Sequence, residues 1–156
     1  MIIDGWNVCW KIPEIAALIP EDLELARRKL NAKIKAYCQS KKNQYKIIYD
    51  GQPHIYNRNI HSQNRHIQFS KDPQKADSLI INFLRKQHKP HEWTVVTSDQ
   101  ELSIRAANLE AQVVPAELFV EKIKSKSISE SDLSAKENPN INKTEMDYWL
   151  KKFKQN

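Results

Sequence analysis

The chain has 156 residues, 40% of them hydrophobic and 28% charged, which is enough for one domain of ordinary size with a substantial core. With 25 Lys and Arg against 19 Asp and Glu, the formal charge of +6 favours polyanionic partners such as nucleic acid. The two glycines exclude GxGxxG and Walker motifs, and Cys9 and Cys38 lack the spacing of a disulfide framework or a zinc knuckle. Because the apolar runs are short and the N-terminus lacks a signal-peptide pattern, we expect a cytoplasmic protein without a membrane span.

The first half of the chain predicts three strands and one long helix. Residues 2–4 form a short apolar strand, and the stretch 6–20, which contains two prolines, predicts a loop. In residues 21–38, apolar side chains recur every three or four positions, which predicts an amphipathic helix. Residues 45–50 and 65–70, which contain Ile, Tyr and Phe, predict the second and third strands.

The second half of the chain alternates helices and strands. Asp72 is a favourable N-cap for a helix that begins at Pro73. The β-branched residues of 93–97 predict the fourth strand. Ser98 and Glu101 fit a capping box that starts a helix reaching residue 109. The remaining predicted elements are a strand at residues 111–114 and a short helix from Pro115.

The order of these elements predicts the fold class. Strands that alternate with helices and are apolar throughout indicate a mostly parallel α/β sheet of about five strands, covered on both faces. We therefore predict a three-layer α/β/α, Rossmann-like domain in residues 1–124. Residues 125–142 are rich in Ser, Asn, Glu and Lys and predict a flexible linker. Residues 143–156 predict a C-terminal amphipathic helix that packs either on its own domain or on a partner.

Four aspartates lie near the points where the predicted strands end. Because active sites of open parallel sheets lie beyond the carboxyl ends of the strands, we expect these carboxylates to converge. Grouped carboxylates repel one another unless a cation lies among them, and Mg²⁺ prefers carboxylates, water and phosphate oxygens. Each aspartate by itself also suits a turn or a helix cap. The four are Asp4 after the first strand, Asp50 after the second, Asp77 early in the following helix, and Asp99 after the fourth strand.

The segment 51–71 has no acidic residue and combines basic, aromatic and amide side chains. These residue types suit single-stranded RNA, because cations bind phosphates, amides contact base edges and aromatic rings stack on bases. A solvated loop is the alternative interpretation. The candidate RNA-binding residues of this segment are Arg58, Arg65, Lys71, Tyr56 and His61.

Four motifs occur in order on the expected elements. They are Asp4-Gly5-Trp6-Asn7, Tyr49-Asp50-Gly51, Ala76-Asp77-Ser78-Leu79-Ile80 and Thr97-Ser98-Asp99-Gln100-Glu101-Leu102. Together they resemble the NYN domains, a branch of the PIN-like ribonucleases, and within that branch the YacP-like group most. The C-terminal Tyr148-Trp149-Leu150 and Phe153 are similar to the tail of that group, so the resemblance covers nearly the whole chain.

The resemblance implies a PIN-like fold and an endoribonuclease that depends on Mg²⁺ or Mn²⁺. It implies that Asp4 is a central metal ligand and that Asp77 and Asp99 are the other acidic positions, while the position of Asp50 serves the metal in only part of the superfamily. The other matching residues are Asn7 and Ser98 beside the site, and Trp6, which stands where the family has Tyr and retains an aromatic ring for stacking on RNA.

The main functional hypothesis is a metal-dependent endoribonuclease that hydrolyses single-stranded RNA, with messenger RNA or ribosome-bound RNA as candidate targets. The alternative is a non-catalytic RNA-binding module of the same fold, although a binder gains nothing from carboxylates that face phosphates. An enzyme that forms an acyl-phosphate on Asp4 or Asp50 fits poorly, because Trp6 stands where the acidic partner of Asp4 would be needed.

Overall fold

The central sheet has five strands in the computed structural model, which describes residues 1–41, 43–51, 65–71 and 75–125. The strands lie in the order β3-β2-β1-β4-β5, and each neighbouring pair is parallel. The predicted α/β fold class with a five-stranded parallel sheet is therefore confirmed. The strands are β1 (Ile2–Asp4), β2 (Lys46–Tyr49), β3 (Ile67–Phe69), β4 (Thr94–Val96) and β5 (Gln112–Val114).

The strand order changes direction at β1. The chain runs outward from β1 through β2 to β3, then crosses to the other side of β1 for β4 and β5. Ile3 pairs with Ile47 on one side and with Val96 on the other, so β1 is central. Ligands of open α/β sheets bind in the crevice beside such a switch point. Asp4 and Thr97, at the ends of β1 and β4, therefore lie where a site is expected.

Helices cover both faces of the sheet, because successive residues of a strand point to opposite sides. The helices are α1 (Gly5–Trp10), α2 (Pro13–Ala16), α3 (Leu23–Lys41), α4 (Ala76–Arg85), α5 (Gln100–Ala107) and α6 (residues 116–125), with a 3-10 turn at Pro90–Glu92. Ile3 and Val96 pack with buried residues of α1, α2, α3 and α6. Ile2 and Val95 pack on the other face with α4 and α5. The three predicted layers are thus present.

Residues 6–20 contain two short helices, so the predicted loop is wrong. Asp4 is the N-cap of α1. Pro13 lies in the first turn of α2, where a missing N–H costs nothing. Helices this short have no clear apolar periodicity and are marginal in isolation, so the burial of Val8 and Ile15 in the core stabilises them.

The predicted start of the helix after β3 is also wrong. Helix α4 begins at Ala76, after the extended residue Lys75, and not at Pro73. The predicted cap, Asp72, lies outside the described residues. The later start places Asp77 in the first turn of α4, at the end of the helix that faces the carboxyl edge of the sheet.

The predicted capping box at the start of α5 is replaced by a different cap. Asp99 is the N-cap, and its Oδ1 accepts a hydrogen bond from the backbone N–H of Leu102 at 2.7 Å. The hydroxyl of Ser98 instead accepts the backbone N–H of Ala116 at 2.9 Å. The local pattern predicted that Ser98 caps α5, but its side chain contacts Ala116 from a distant part of the chain instead.

The chain divides into two units, Met1–Lys124 and Ser125–Asn156. Beyond residue 125, the predicted linker (125–142) and C-terminal helix (143–156) lie outside the described residues. In the part of the chain that the structure describes, none of the helices has the length and apolar character needed to cross a membrane. Cys9 and Cys38 are buried free thiols.

Candidate active site

Asp4 lies at the switch point and is held by two neighbouring elements. Its Oδ1 accepts the backbone N–H of Asn7 at 3.3 Å, and its Oδ2 accepts the hydroxyl of Thr97 at 3.2 Å. Thr97 is buried directly after β4 and is 93 positions away in the sequence. The pairing of β1 with β4 brings the two side chains together, and the hydrogen bonds orient the carboxylate.

Asn7 and Thr97 also fix the loop between β4 and α5. The side-chain oxygen of Asn7 accepts the backbone N–H of Ser98 at 2.8 Å. The hydroxyl of Thr97 accepts the backbone N–H of Asp99 at 3.1 Å. Asp99 is exposed and caps α5. These contacts explain why Asn7 belongs to the site: it ties the loop that carries Asp99 to the helix that follows Asp4.

A pocket of about 370 Å³ opens at this edge of the sheet. It brings together predicted site residues from β1, α1, the end of β2 and α4. Asp99 is not part of its lining, although its charge acts on two carboxylates there. The lining residues are Asp4, Trp6, Asn7, Trp10, Asp50, Lys75, Ala76 and Asp77.

The aspartates form one electrostatic group. Burial raises the pKa of Asp4 from 3.8 to about 6, and the charges of Asp77 and Asp99 add to the rise, while hydrogen bonds to its carboxylate oppose it. Burial also raises the pKa of Asp77, and the charges of Asp99 and Asp50 contribute in the same direction. Neighbouring carboxylates thus oppose the ionisation of Asp4 and Asp77, and a cation would relieve that repulsion.

The raised pKa of Asp4 predicts a loss of stability as the pH rises. Below its ordinary pKa of 3.8, Asp4 is protonated whether the chain is folded or unfolded; between 3.8 and about 6 the unfolded chain ionises first, so the free energy of unfolding falls. We expect a fall of about 1–3 kcal/mol from this group between about pH 4 and pH 7. Urea unfolding in EDTA measures it. The Asp4→Asn variant should lack this part of the pH dependence, and an unchanged profile in that variant would contradict the assignment.

The donors around the pocket suit Mg²⁺ or Mn²⁺ in their chemistry. They are carboxylate and amide oxygens, and the described lining contains neither His nor Cys. Among the residues that the structure describes, no three His, Cys, Asp or Glu side chains are grouped closely enough to hold a metal ion. The arrangement is therefore not a closed cage. It fits an ion bound by one or two carboxylates and completed by water, which is a usual mode for Mg²⁺.

Ser98 contributes to the site through its backbone, while its hydroxyl serves α6. The hydroxyl donates a hydrogen bond to Glu117 and accepts the N–H of Ala116. Glu117 also pairs with Lys11, whose Nζ lies 2.7 Å from its Oε1. The hydrogen bonds from Lys11 and Ser98 lower the pKa of Glu117 to about 2. Ser98 is thus a junction between the site loop, α1 and α6.

Replacing Ser98 with Ala should lower stability by about 1 kcal/mol, because the N–H of Ala116 loses its acceptor. Equilibrium unfolding in urea measures the change. Ser103→Ala is the matched control, because the one hydrogen bond of the Ser103 hydroxyl within the described residues is local, to the carbonyl of Asp99 (2.6 Å). We expect the control to change stability by less than about 0.5 kcal/mol. Equal losses in the two variants would contradict the junction role of Ser98.

Asp50 and Trp6 are tied to each other beside the pocket. The indole N–H of Trp6 donates to the backbone carbonyl of Asp50 at 2.9 Å. The carboxylate of Asp50 accepts the hydroxyl of Ser70, which also accepts the N–H of Gly51 at 3.1 Å. The Trp6 ring packs edge-on against Tyr49, with centroids 5.1 Å apart. Both predicted residues therefore lie at the site. Trp6 is half-buried, and its indole N–H is already hydrogen-bonded.

The basic segment is only partly within the described residues. Arg65 and Lys71 are exposed and are not part of the pocket lining, while Arg58, Tyr56 and His61 lie outside the described residues. Sequence reasoning missed two lining residues, Trp10 and Lys75. Lys75 directly precedes the Ala-Asp motif and could have been noticed there. Trp10 gave no signal, because a tryptophan in an apolar stretch ordinarily predicts burial.

Fold and site together define an open parallel α/β protein in which aspartates from separate strands and helices lie near the carboxyl edge of the sheet. The family described as the YacP-like NYN domain matches residues 1–156, and the chain belongs to this family. The family has an RNA-related nuclease fold. The resemblance to the YacP-like group predicted from the four sequence motifs is therefore confirmed. No curated protein matches the chain.

Two crystal structures of Rae1 (YacP) from Bacillus subtilis are similar to this chain. One, of a tryptophan-to-leucine variant, has a TM-score of 0.71 at 19% identity and covers 93% of this chain and 87% of the other. The second has a TM-score of 0.68 at 21% identity and covers 99% of this chain and 91% of the other. At these identities the likeness shows that the fold is shared.

Proposed function

We propose that this protein is a metal-dependent endoribonuclease of the cytoplasm that hydrolyses single-stranded RNA, using Mg²⁺ or Mn²⁺. The observation that carries the proposal is the buried carboxylate of Asp4, whose pKa is raised to about 6 at a pocket shared with Asp50 and Asp77. Carboxylates that repel one another at the switch point are stabilised together when they bind a cation. A metal-binding role therefore accounts for their placement there.

In this proposal one or two of Asp4, Asp77 and Asp99 bind the ion directly and the others bind it through water, with Asp50 as a further candidate ligand. When bound, it would lower the pKa of a water molecule and offset negative charge on the phosphate. The chain's own residues prepare the site: Thr97 orients the carboxylate of Asp4, and Asn7 holds the loop before Asp99. Ser98 is then a positioning residue. The proposed nuclease domain spans residues 1–124.

The chemistry of the products distinguishes this mechanism from a metal-free one. Attack by water leaves a 5′-phosphate and a 3′-hydroxyl, whereas attack by the ribose 2′-hydroxyl leaves a cyclic phosphate. Because the proposed reaction uses water as the nucleophile, we expect products with a 5′-phosphate.

The proposal is tested by incubating the purified protein with end-labelled single-stranded RNA in Mg²⁺ or Mn²⁺. Messenger RNA, free and on ribosomes, should be compared as substrates. Cleavage that disappears both in EDTA and in the Asp99→Asn variant supports the proposal. Cleavage that persists in EDTA would contradict the metal requirement, and cleavage that persists in Asp99→Asn would contradict the assigned site.

One observation favours a second candidate, an RNA-binding module without catalysis. In the described part of the chain, no three potential ligands are close enough to hold an ion by themselves. In that case the wild-type protein would retain RNA in a binding assay and leave it intact at every metal concentration. The same experiment therefore separates the two candidates.

A further inference from the structure

Trp10 is the exposed aromatic residue of the candidate site. It ends α1, lines the pocket, and is 59% exposed, against 0% for Val8 and Cys9 of the same helix. Within the described ranges, its indole makes no hydrogen bond and no aromatic ring contact. An indole left in water beside a polar pocket loses the stabilisation that burial would provide.

Trp6, on the same helix, provides a direct comparison. Its N–H is bound to the carbonyl of Asp50 at 2.9 Å, its ring packs against Tyr49, and the Arg27 guanidinium lies 5.9 Å from its centroid. These contacts hold Trp6 as part of the pocket wall. Of the two tryptophans that line the pocket, Trp10 is the one whose ring is free of such contacts.

A cation lies at the same pocket. Lys75 lines it, precedes α4 and is exposed. Its Nζ makes no ion pair or hydrogen bond in the described part of the chain, whereas Lys11, near Trp10 in sequence, is paired with Glu117. The rest of the charged lining is acidic, so Lys75 supplies the positive charge with which a phosphate of the substrate could pair.

We propose that Trp10 and Lys75 form a nucleotide-binding edge beside the carboxylates, at which Trp10 stacks on a base of single-stranded RNA and Lys75 binds a neighbouring phosphate. The inference rests on the proposed function, since it assigns the part of the same site that holds the substrate. A neutral base can approach an acidic pocket without the repulsion that a phosphate meets. Stacking on an aromatic ring also tolerates any base, so this edge positions RNA without selecting its sequence.

The stacking role is tested by RNA affinity in the full 156-residue chain. Fluorescence anisotropy of a labelled single-stranded RNA in Mg²⁺ is measured in an Asp99→Asn background, so that cleavage does not interfere. Trp10→Ala should weaken binding by roughly 5- to 100-fold, and Trp10→Phe should restore most of it. Ile104→Ala is the matched control, because Ile104 is 62% exposed on α5 and outside the pocket lining; its affinity should be unchanged.

A second set of RNAs separates stacking from a general structural effect. RNAs with a single abasic nucleotide are scanned along the strand. At one position, loss of the base should weaken binding to the protein with Trp10 and leave binding to Trp10→Ala unchanged. If every abasic RNA weakens both proteins equally, or if Trp10→Ala binds as tightly as its parent, the stacking role is wrong. A lowered melting temperature of Trp10→Ala with unchanged affinity would show that the indole packs on protein instead.

Lys75 is tested by the salt dependence of the same affinity. Loss of one phosphate contact on a single strand lowers the slope of log K against log salt by about 0.7. We expect that change for Lys75→Gln and none for Lys86→Gln, an exposed lysine at the other end of α4. Equal slopes would overturn the assignment of Lys75.

These outcomes are distinguishable from those of the proposed function. If the wild-type protein binds RNA without cleaving it, the nuclease proposal fails and the nucleotide-binding edge is still measured by affinity. If the wild-type protein binds no single-stranded RNA, both proposals are wrong.

Discussion

Replacing Asp4 with Asn should abolish RNA cleavage and leave RNA binding intact or stronger. Asn occupies almost the same volume and remains a good N-cap for α1, but it removes the negative charge at the centre of the carboxylate group. Loss of an outer partner of a metal ligand already costs about 10–100-fold, so we expect a fall of more than about 100-fold in cleavage rate. Gel assays of cleavage and anisotropy measurements of binding test the two parts separately.

Asp22→Asn is the matched control for this substitution. Asp22 also serves as a helix cap, since its Oδ1 accepts the N–H of Leu25 at 2.8 Å at the start of α3, and it is not part of the pocket lining. The same chemical change there should leave cleavage unchanged. If Asp4→Asn cleaves RNA at the wild-type rate, or if both variants lose activity equally, the proposed role of Asp4 is wrong.

Gly5→Ala should destabilise the protein by about 2–3 kcal/mol, the largest effect on stability that we expect from a single added methyl group. A Cβ on Gly5 would lie closer than 3.0 Å to three ring carbons of Tyr49. That ring cannot easily move, because its hydroxyl donates to Asn31 at 2.8 Å and it packs against Trp6, with ring centroids 5.1 Å apart. The strain falls directly after Asp4, so cleavage should fall too. Urea unfolding followed by circular dichroism measures the loss.

Two variants show whether the crowding against Tyr49 is the cause. Gly51 has a left-handed backbone (φ 89°), but no atom of the described residues lies within 4 Å of an added Cβ, so Gly51→Ala should cost only about 1 kcal/mol from backbone strain. In a Tyr49→Leu background, Gly5→Ala should cost much less than in the wild type, because the ring is gone. An equal cost in both backgrounds would show that Tyr49 is not the obstacle.

Local sequence pattern predicted the sheet of this protein but not its short helices. The parallel sheet could be predicted because apolar strands separated by helices have few other stable arrangements. The convergence of Asp4, Asp50 and Asp77 could be predicted because parallel strands end at one edge of a sheet. The region 6–20 was predicted incorrectly, because α1 and α2 are too short to show an apolar period and depend on burial against the sheet.

The sequence by itself determined the order of the strands and of the longer helices, the fold class and the acidic residues that face the crevice, since these depend on residue type and on periodicity along the chain. Tertiary structure alone decided which side chains form hydrogen bonds with distant residues and which stay exposed to solvent. The hydroxyl of Ser98 turned to α6, 18 positions away, and that of Thr97 to Asp4, 93 positions away. Trp6 became part of the pocket wall while Trp10 stayed exposed. Hydrogen bonding and burial depend on neighbours from distant parts of the chain, and only the folded sheet brings those neighbours together.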